Sequence, residues 1–423
     1  MPNLTHRTEQ SVIRSIRPAQ LVAVVLPIVL VVVTPTLARA QDSTRAAPDS
    51  GQRTQPAPVP ASSAAVPTAK TPNLDFSGVV FGNYQYHTDP ASKDQNRFDV
   101  ERAYLTFRMP AGDRASIRVT GDLFQQTASG SDAYYKGWVF RAKYAYLQYD
   151  YVKAATPAGW NAAARIGLVH TMFIDHEENF WPRWLSTTPV ERAGFFSSAD
   201  AGAATVVSFP QKLGEAYVAV TNGPGYASRE TDRFKDYQAR VTVTPLGASD
   251  LGYLRTLAVD GWMYRGVIAS RFVNGGTGQI GPVSSGLDRN RWGLFAGIRD
   301  PRLTIGADYA RRQDGGETGA NTAASPRAVV DSTGRLTSAY VVAKPFRMID
   351  AKNGMPLGVV LRYDRVTPNT SATDLAYHVF IGGLTWDLSS RTSLSLDYQE
   401  QIPTRATVIA AQKVWYMHWV ANF

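Results

Sequence analysis

The chain has 423 residues, no Cys, 11% aromatic and 19% charged residues, and a formal net charge of +9. That aromatic and apolar content excludes disorder, and the missing Cys excludes a disulfide framework and any thiolate metal site. The charge is mild and contains no Lys/Arg block of the kind that marks a nucleic-acid tail. A mean hydropathy of -0.21 is low for a helical membrane protein, but it suits a wall in which only alternate residues are apolar.

Arg7, Arg14 and Arg17 precede the apolar run Leu21 to Val33, and Ala38-Arg39-Ala40 follows at cleavage spacing. Residues 1–40 therefore read as a secretory signal peptide cut before Gln41. The run is short for a span and Pro27 interrupts it, which disfavours an uncleaved anchor. Residues 41–73 hold Pro48, Pro56, Pro58, Pro60, Pro67 and Pro72 among Ala, Ser and Thr, with no aromatic residue, as expected of a flexible Pro/Ala-rich linker.

From 74 to 423 the texture is of alternating segments. Strands are expected at 75–87, 97–109, 114–126, 139–151, 160–170, 201–210, 214–222, 236–244, 254–265, 290–300, 302–312, 335–346, 356–366, 374–387, 391–400 and 411–423. That is about sixteen, the even number a bacterial single-chain barrel needs. Ala111-Gly112-Asp113, Gln211-Lys212-Leu213, Asp300-Pro301 and Ser389-Ser390-Arg391 read as tight turns. Longer polar connections at 88–96, 127–138, 171–200, 223–235, 266–289 and 313–334 alternate with them. Short turns on one rim and long loops on the other predict an all-β fold, a transmembrane antiparallel β-barrel.

Alternation assigns the two faces. In the second expected strand Ala103, Leu105 and Phe107 oppose Arg102, Tyr104, Thr106 and Arg108; in the eleventh Leu303, Ile305 and Ala307 oppose Arg302, Thr304 and Asp308. Arg at mid-depth in lipid costs roughly 2–4 kcal/mol, so the charged face should enclose water. Sixteen strands are also too many for side chains to fill the interior. The expected lumen face carries Arg102, Arg108, Arg118, Arg165, Arg240, Arg291, Arg299, Arg302, Arg312 and Arg362 against Asp122, Asp150, Asp260, Asp308, Asp364 and Asp397. This excess of Arg predicts a weak preference for anions through field focusing, although wall-stiffening ion pairs would use the same residues.

Met172 to Gly202 is the longest connection, with Phe173, Phe180, Trp181, Trp184, Phe195 and Phe196 set among Asp175, His176, Glu177, Glu178, Arg183, Glu191 and Arg192. Six aromatics do not suit an exposed loop, so the segment should fold inward and place its charges across the lumen as a constriction. His176-Glu177-Glu178 lacks the second His of a metalloprotease motif, and no nucleophile constellation or nucleotide loop is found, so neither a metal, a cofactor nor an enzyme is expected. The chain closes on Trp415, Met417, Trp419, Ala421 and Phe423 at alternate positions, a lipid-facing stripe of a last strand.

The hydrophobic terminal strand, the sixteen strands and the long fifth connection resemble those of a bacterial general porin. Phe98 to Asp122, with Glu101-Arg102-Ala103-Tyr104-Leu105, is similar to the first hairpin of the phosphate-selective porin O and P family. Leu185 to Gly202, with Pro189-Val190-Glu191-Arg192, resembles that family's folded-in loop. The signal peptide implies Sec-type export, and the resemblance implies an outer-membrane homotrimer that passes small hydrophilic anions such as phosphate. It also makes Trp415, Trp419 and Phe423 a signal for barrel-assembly machinery, with outer-membrane lipid as the surrounding partner. Glu101 stands where the family carries a basic residue, and no stacked Arg ladder is legible. Other readings of the same pattern are an adhesion or structural barrel and, with less support, a barrel enzyme.

Overall fold

The computed structural model describes residues 74–126, 137–156, 159–230, 232–269, 286–318 and 328–423. The expected signal peptide and Pro/Ala linker lie outside the described residues. Sixteen strands run in order: β1 (Asp75–His87), β2 (Asn96–Pro110), β3 (Ala115–Gln126), β4 (Gly137–Val152), β5 (Asn161–His170), β6 (Ala199–Ser208), β7 (Gly214–Thr221) and β8 (Asp236–Val243) form the first half. The second half is β9 (Ala258–Ala269), β10 (Gly286–Asp300), β11 (Leu303–Thr318), β12 (Ala328–Ala343), β13 (Leu357–Thr367), β14 (Tyr377–Asp387), β15 (Thr392–Pro403) and β16 (Gln412–Asn422). Each strand pairs antiparallel with its neighbours in sequence, and β1 pairs with β16, so the barrel is closed.

Closure is made residue by residue. Val79 to His87 oppose Asn422 to Val414, and Gly78 and Phe423 exchange backbone hydrogen bonds of 2.8 and 2.9 Å. Phe423 meets Phe76 at a tilt, with 5.9 Å between ring centres, and lies over Gly78, where any side chain would collide with its ring. Trp415, Met417 and Phe423 are about half exposed on the outer face, as the alternating stripe requires, and Trp419 lies over Gly82.

Several boundaries differ from expectation, each for a local reason. Residues 252–256 form a 3-10 turn, so β9 starts at Ala258 and not at 254. Pro345 opens a short helix, Pro345–Ile349, that ends β12 before 346. β11 and β12 stay paired up to Thr318 and Ala328, well beyond the apolar segment that marked them in sequence. Alternation also breaks at three register shifts, one of them at Tyr151 near the end of β4. Phe81 pairs with Arg102 but Gly82 with Val100, leaving Glu101 as an extra residue in β2. Thr120 pairs with Tyr144 but Gly121 with Ala142, leaving Lys143 extra in β4.

Residues 171–198 leave the wall and cross the interior. Two short helices, α1 (Ile174–Glu177) and α2 (Pro189–Arg192), organise this segment. Phe173, Ile174, Trp181, Leu185, Val190 and Phe195 are fully buried and pack on the inner face of β9–β14 through Trp262, Phe295, Leu336, Tyr340, Val360 and Ile381. Trp262 itself lies flat on Gly293 across the β9–β10 pair. Gly293→Val should displace that indole from Phe173 and Phe196 and cost about 1–3 kcal/mol. The check is a lower temperature for the folded-to-unfolded mobility shift on SDS gels.

Candidate functional site, the lumen and its crossing loop

The loop meets the two sides of the barrel differently. Toward β9–β14 the contact is aromatic: Phe173 stacks on Trp262 at 5.6 Å, Phe180 meets Phe295 edge-on at 4.8 Å, and Trp181 meets Tyr340 at 5.2 Å. Polar pins hold the same side. Arg362 is fully buried, forks onto Asp364 at 2.7 and 2.9 Å, donates to the Thr187 carbonyl at 2.7 Å and lies 4.8 Å above the Trp181 ring. Gln399 donates to the Leu185 carbonyl at 2.9 Å, and Arg312 reaches the Ala193 carbonyl at 3.3 Å.

Toward β2–β5 the loop meets charge. Lys143 Nζ lies 4.0 Å from Glu178 and sits over the Tyr104 and Tyr144 rings at 4.4 and 5.3 Å. Arg183, on the loop, bridges Glu178 at 2.6 Å and Glu191 at 3.2 Å. Arg118 reaches His170 at 3.1 Å, and the same His170 nitrogen is 3.3 Å from the half-exposed Asp175. Arg102 and Arg141 share buried Asp122 at 3.4 and 3.2 Å, and Arg141 stacks on Phe124 at 4.0 Å. Arg165 is held by Gln148 at 2.9 Å.

Cavities open on both sides of the crossing segment. At the turn end a cavity of 780 Å³ is lined by His176, Asn179, Glu215, Lys212 and Arg299. Toward the loop end, one of 420 Å³ is lined by Glu191, Tyr264, Arg289 and Arg291, and one of 230 Å³ by Glu101, Arg102 and Arg183. Between them Lys143, Tyr104, Tyr144 and His170 are all buried.

The expected site residues fall into distinct groups. Arg102, Arg118 and Arg165 stand on the lumen wall facing the loop, and Arg240 is buried against Glu215 below His176. Arg299 lies on the inner face near the turn end and donates to Asn179 at 2.7 Å. Arg108 is at the rim, half exposed, 3.7 Å from Asp75. Arg302 is corrected: it occupies the turn before β11 and pairs with Asp300 at 2.8 Å, because Pro301 delays the strand. Arg362 faces inward as expected but lies beneath the loop, so it anchors the loop and does not line water.

Within the loop Asp175, Glu178 and Arg183 face the β2–β5 side, and His176 contacts Asp260 at 3.2 Å. Arg192 is largely buried; that burial, then the positive charge of Arg362, lower its pKa. Glu177 differs from the expected surface charge: it is fully buried and faces Asp308. Its burial, and next the Asp308 carboxyl, push its own carboxyl well above the ordinary range. Arg141, Lys143, His170 and Arg289 were not singled out in the sequence. Lys143 stands in a bulge, where period-two reading fails, and His170 belongs to the chain's exit from the wall.

Comparison with known proteins adds the following. No family model matches the chain, and no curated protein matches it. Solved structures do. The anion-selective porin from Comamonas acidovorans superposes with a TM-score of 0.54 at 13% identity, covering 83% of this chain and 99% of that one. OmpT, an outer membrane protein of Vibrio cholerae described in its trimer form, gives 0.51 at 11% identity over 83% and 99%. The outer membrane channel DcaP of Acinetobacter baumannii gives 0.50 at 13% identity over 83% and 97%. The fold is that of the outer-membrane porins.

Arg362→Ala would strand buried Asp364 without its partner, at a cost of about 3–5 kcal/mol, measurable as a lower unfolding temperature. Glu177 adds a pH dependence. Below the ordinary carboxyl range it is neutral whether the loop is docked or free. As the pH rises the free form ionises first, so docking weakens until the raised docked pKa is passed. Glu177→Gln should flatten that decline, as followed by unfolding temperature from about pH 4 to pH 8.

Proposed function

We propose that the protein is an outer-membrane porin, a water-filled channel for passive diffusion of small hydrophilic solutes with a weak preference for anions. The observation that carries this reading is the two-sided docking of the loop. Its aromatic side is packed against β9–β14, and its charged side faces the basic residues of β2–β5. Water and solutes pass along the charged side, where Arg102, Arg118, Arg141 and Arg165 face Asp175, Glu178 and Glu191, with Lys143 buried behind Glu178. Opposed charges across a narrow passage order small polar solutes and hinder apolar ones.

The anion preference is supported by which charges are hidden. Asp122, Asp260, Asp364 and Asp397 on the wall are fully buried, whereas Arg102 and Arg141 keep about a quarter of their side-chain surface. A neighbour in fold is described as anion-selective, which agrees with this reading. Phosphate or another oxyanion is the solute class implied by the resemblance to the phosphate-selective porin O and P family; two sequence stretches support it, and no family model does. A homotrimer is proposed on the same resemblance and on the trimer form described for the Vibrio protein. Residues 1–40 as a Sec-type export signal and Phe423, with Trp415 and Trp419, as the mark read by barrel-assembly machinery complete the proposal.

Reconstituted in planar bilayers across a KCl gradient, the protein should give a reversal potential of anion-preferring sign. Arg141→Glu with Arg118→Glu should move it toward cations; cation preference in the unaltered channel would overturn the selectivity. Deleting Phe423 removes both backbone bonds to Gly78 and should leave the chain uninserted in the periplasm, scored by cell fractionation.

A further inference from the structure

The outer face carries a feature that passage through the lumen does not use. Arg265 on β9, Arg311 on β11, Arg335 on β12 and Arg365 on β13 all occupy outward positions and are exposed. Their inward neighbours, Tyr264, Ala310, Leu336 and Val366, are buried, which fixes the direction of each. None makes an ion pair or side-chain hydrogen bond among the described residues. Three of them stand eight residues from the turn end of their strands, counted from Leu303, Ala343 and Leu357, and Arg265 stands seven from Ala258. The four therefore form one row at a common height.

That height is informative. Eight residues of tilted strand rise roughly 20 Å, close to the top of a 25 Å apolar band. Outward side chains below the row are apolar apart from Thr337, among them Val259, Met263, Ile305, Ala307, Val341, Leu361 and Val359. Exposed aromatics stand at the row itself: Tyr237 opposite Arg265, Trp292 opposite Arg311, and Tyr363 two residues before Arg365. Aromatic rings at this depth mark the membrane–water boundary. Asp288 and Asp331 lie further toward the loop end. On the adjoining strands β4–β8 the exposed outward residues, such as Trp138, Phe140, Leu147, Ile166 and Val218, carry no charge.

Arg311 and Arg335 are direct cross-strand partners on this face. Like charges directly opposite each other are destabilising unless an anion lies between them. Guanidinium forks at the headgroup level bind phosphate bidentately.

We infer that the outward arc β9–β13 is a docking surface for the phosphate-bearing headgroups of outer-leaflet lipid, with Arg311 and Arg335 clamping one phosphate and Arg265 and Arg365 flanking it. The surface requires only that the barrel lie in a membrane with its long loops outward; it is independent of what the lumen passes.

The test uses the full chain in nanodiscs of phosphatidylcholine, alone or with bisphosphorylated lipid A, with bound lipid counted by native mass spectrometry. The unaltered protein should retain lipid A and should hold its dephosphorylated form about tenfold less well, a comparison that needs no variant. Arg311→Gln with Arg335→Gln should weaken retention about tenfold while leaving single-channel conductance unchanged. Equal retention of both lipids, or by both proteins, would overturn the inference. So would displacement of lipid A by millimolar inorganic phosphate, which would make the row a site for the free ion. Loss of trimers by the double variant without any change in lipid retention would assign the row to a second copy of the chain and equally overturn it.

Discussion

A chain that crosses hydrocarbon must pair its own backbone polar groups, because nothing outside it will. The rest of this structure depends on that constraint. It forces the sixteen strands into a ring, sets β1 against β16, and makes the exchange between Gly78 and Phe423 the last stitch of the wall. Once the ring is closed, sixteen strands enclose more space than wall side chains can occupy. The segment from 171 to 198 takes up part of that space. Its aromatic residues pack on the inner side chains of β9–β14, Trp262, Phe295, Leu336, Tyr340, Val360 and Ile381, among which Arg362 and Asp364 are paired.

The barrel thus has two interiors. One is a dry core like that of a soluble protein, built from Trp181, Phe173, Phe195 and their partners and pinned by Arg362 and Gln399. The other is a charged cleft in which Lys143, Arg118 and Arg183 meet Glu178, Asp175 and Glu191. The dry core gives the loop a fixed position, and only a fixed loop can hold charges at a defined separation across a passage. Aromatic packing on one side is the condition for fixed charge placement on the other.

Much of this was legible in the sequence, and the gaps have physical causes. Period-two alternation identified the sixteen strands, the outward stripe of Trp415, Trp419 and Phe423, and the inward Arg102, Arg118 and Arg165, because each strand has one wet and one dry face. Six aromatics between Met172 and Gly202 required burial, so the inward fold of the loop was also readable. Alternation gives the direction of a side chain but not what covers it. Arg362 therefore read as a lumen charge, although Trp181 and the loop seal it from water, and Glu177 read as a constriction charge of the loop, although it is fully buried. Arg302 was assigned to a strand that Pro301 delays. Lys143 was missed because a bulge breaks the period on which the reading relied.

Those bulges have a consequence for how such a barrel can diverge. At Glu101 and at Lys143 one additional residue turns two consecutive side chains inward, Glu101 with Arg102 and Lys143 with Tyr144. A wall of perfect alternation can change its lumen only by exchanging one side chain for another of the same face. A bulge can be gained or lost by a single-codon insertion or deletion, and the ladder on either side rejoins in its former pairing. Length variation of one residue, ruinous in a packed helical core, is here a heritable route to adding or removing an inward charge beside the crossing loop.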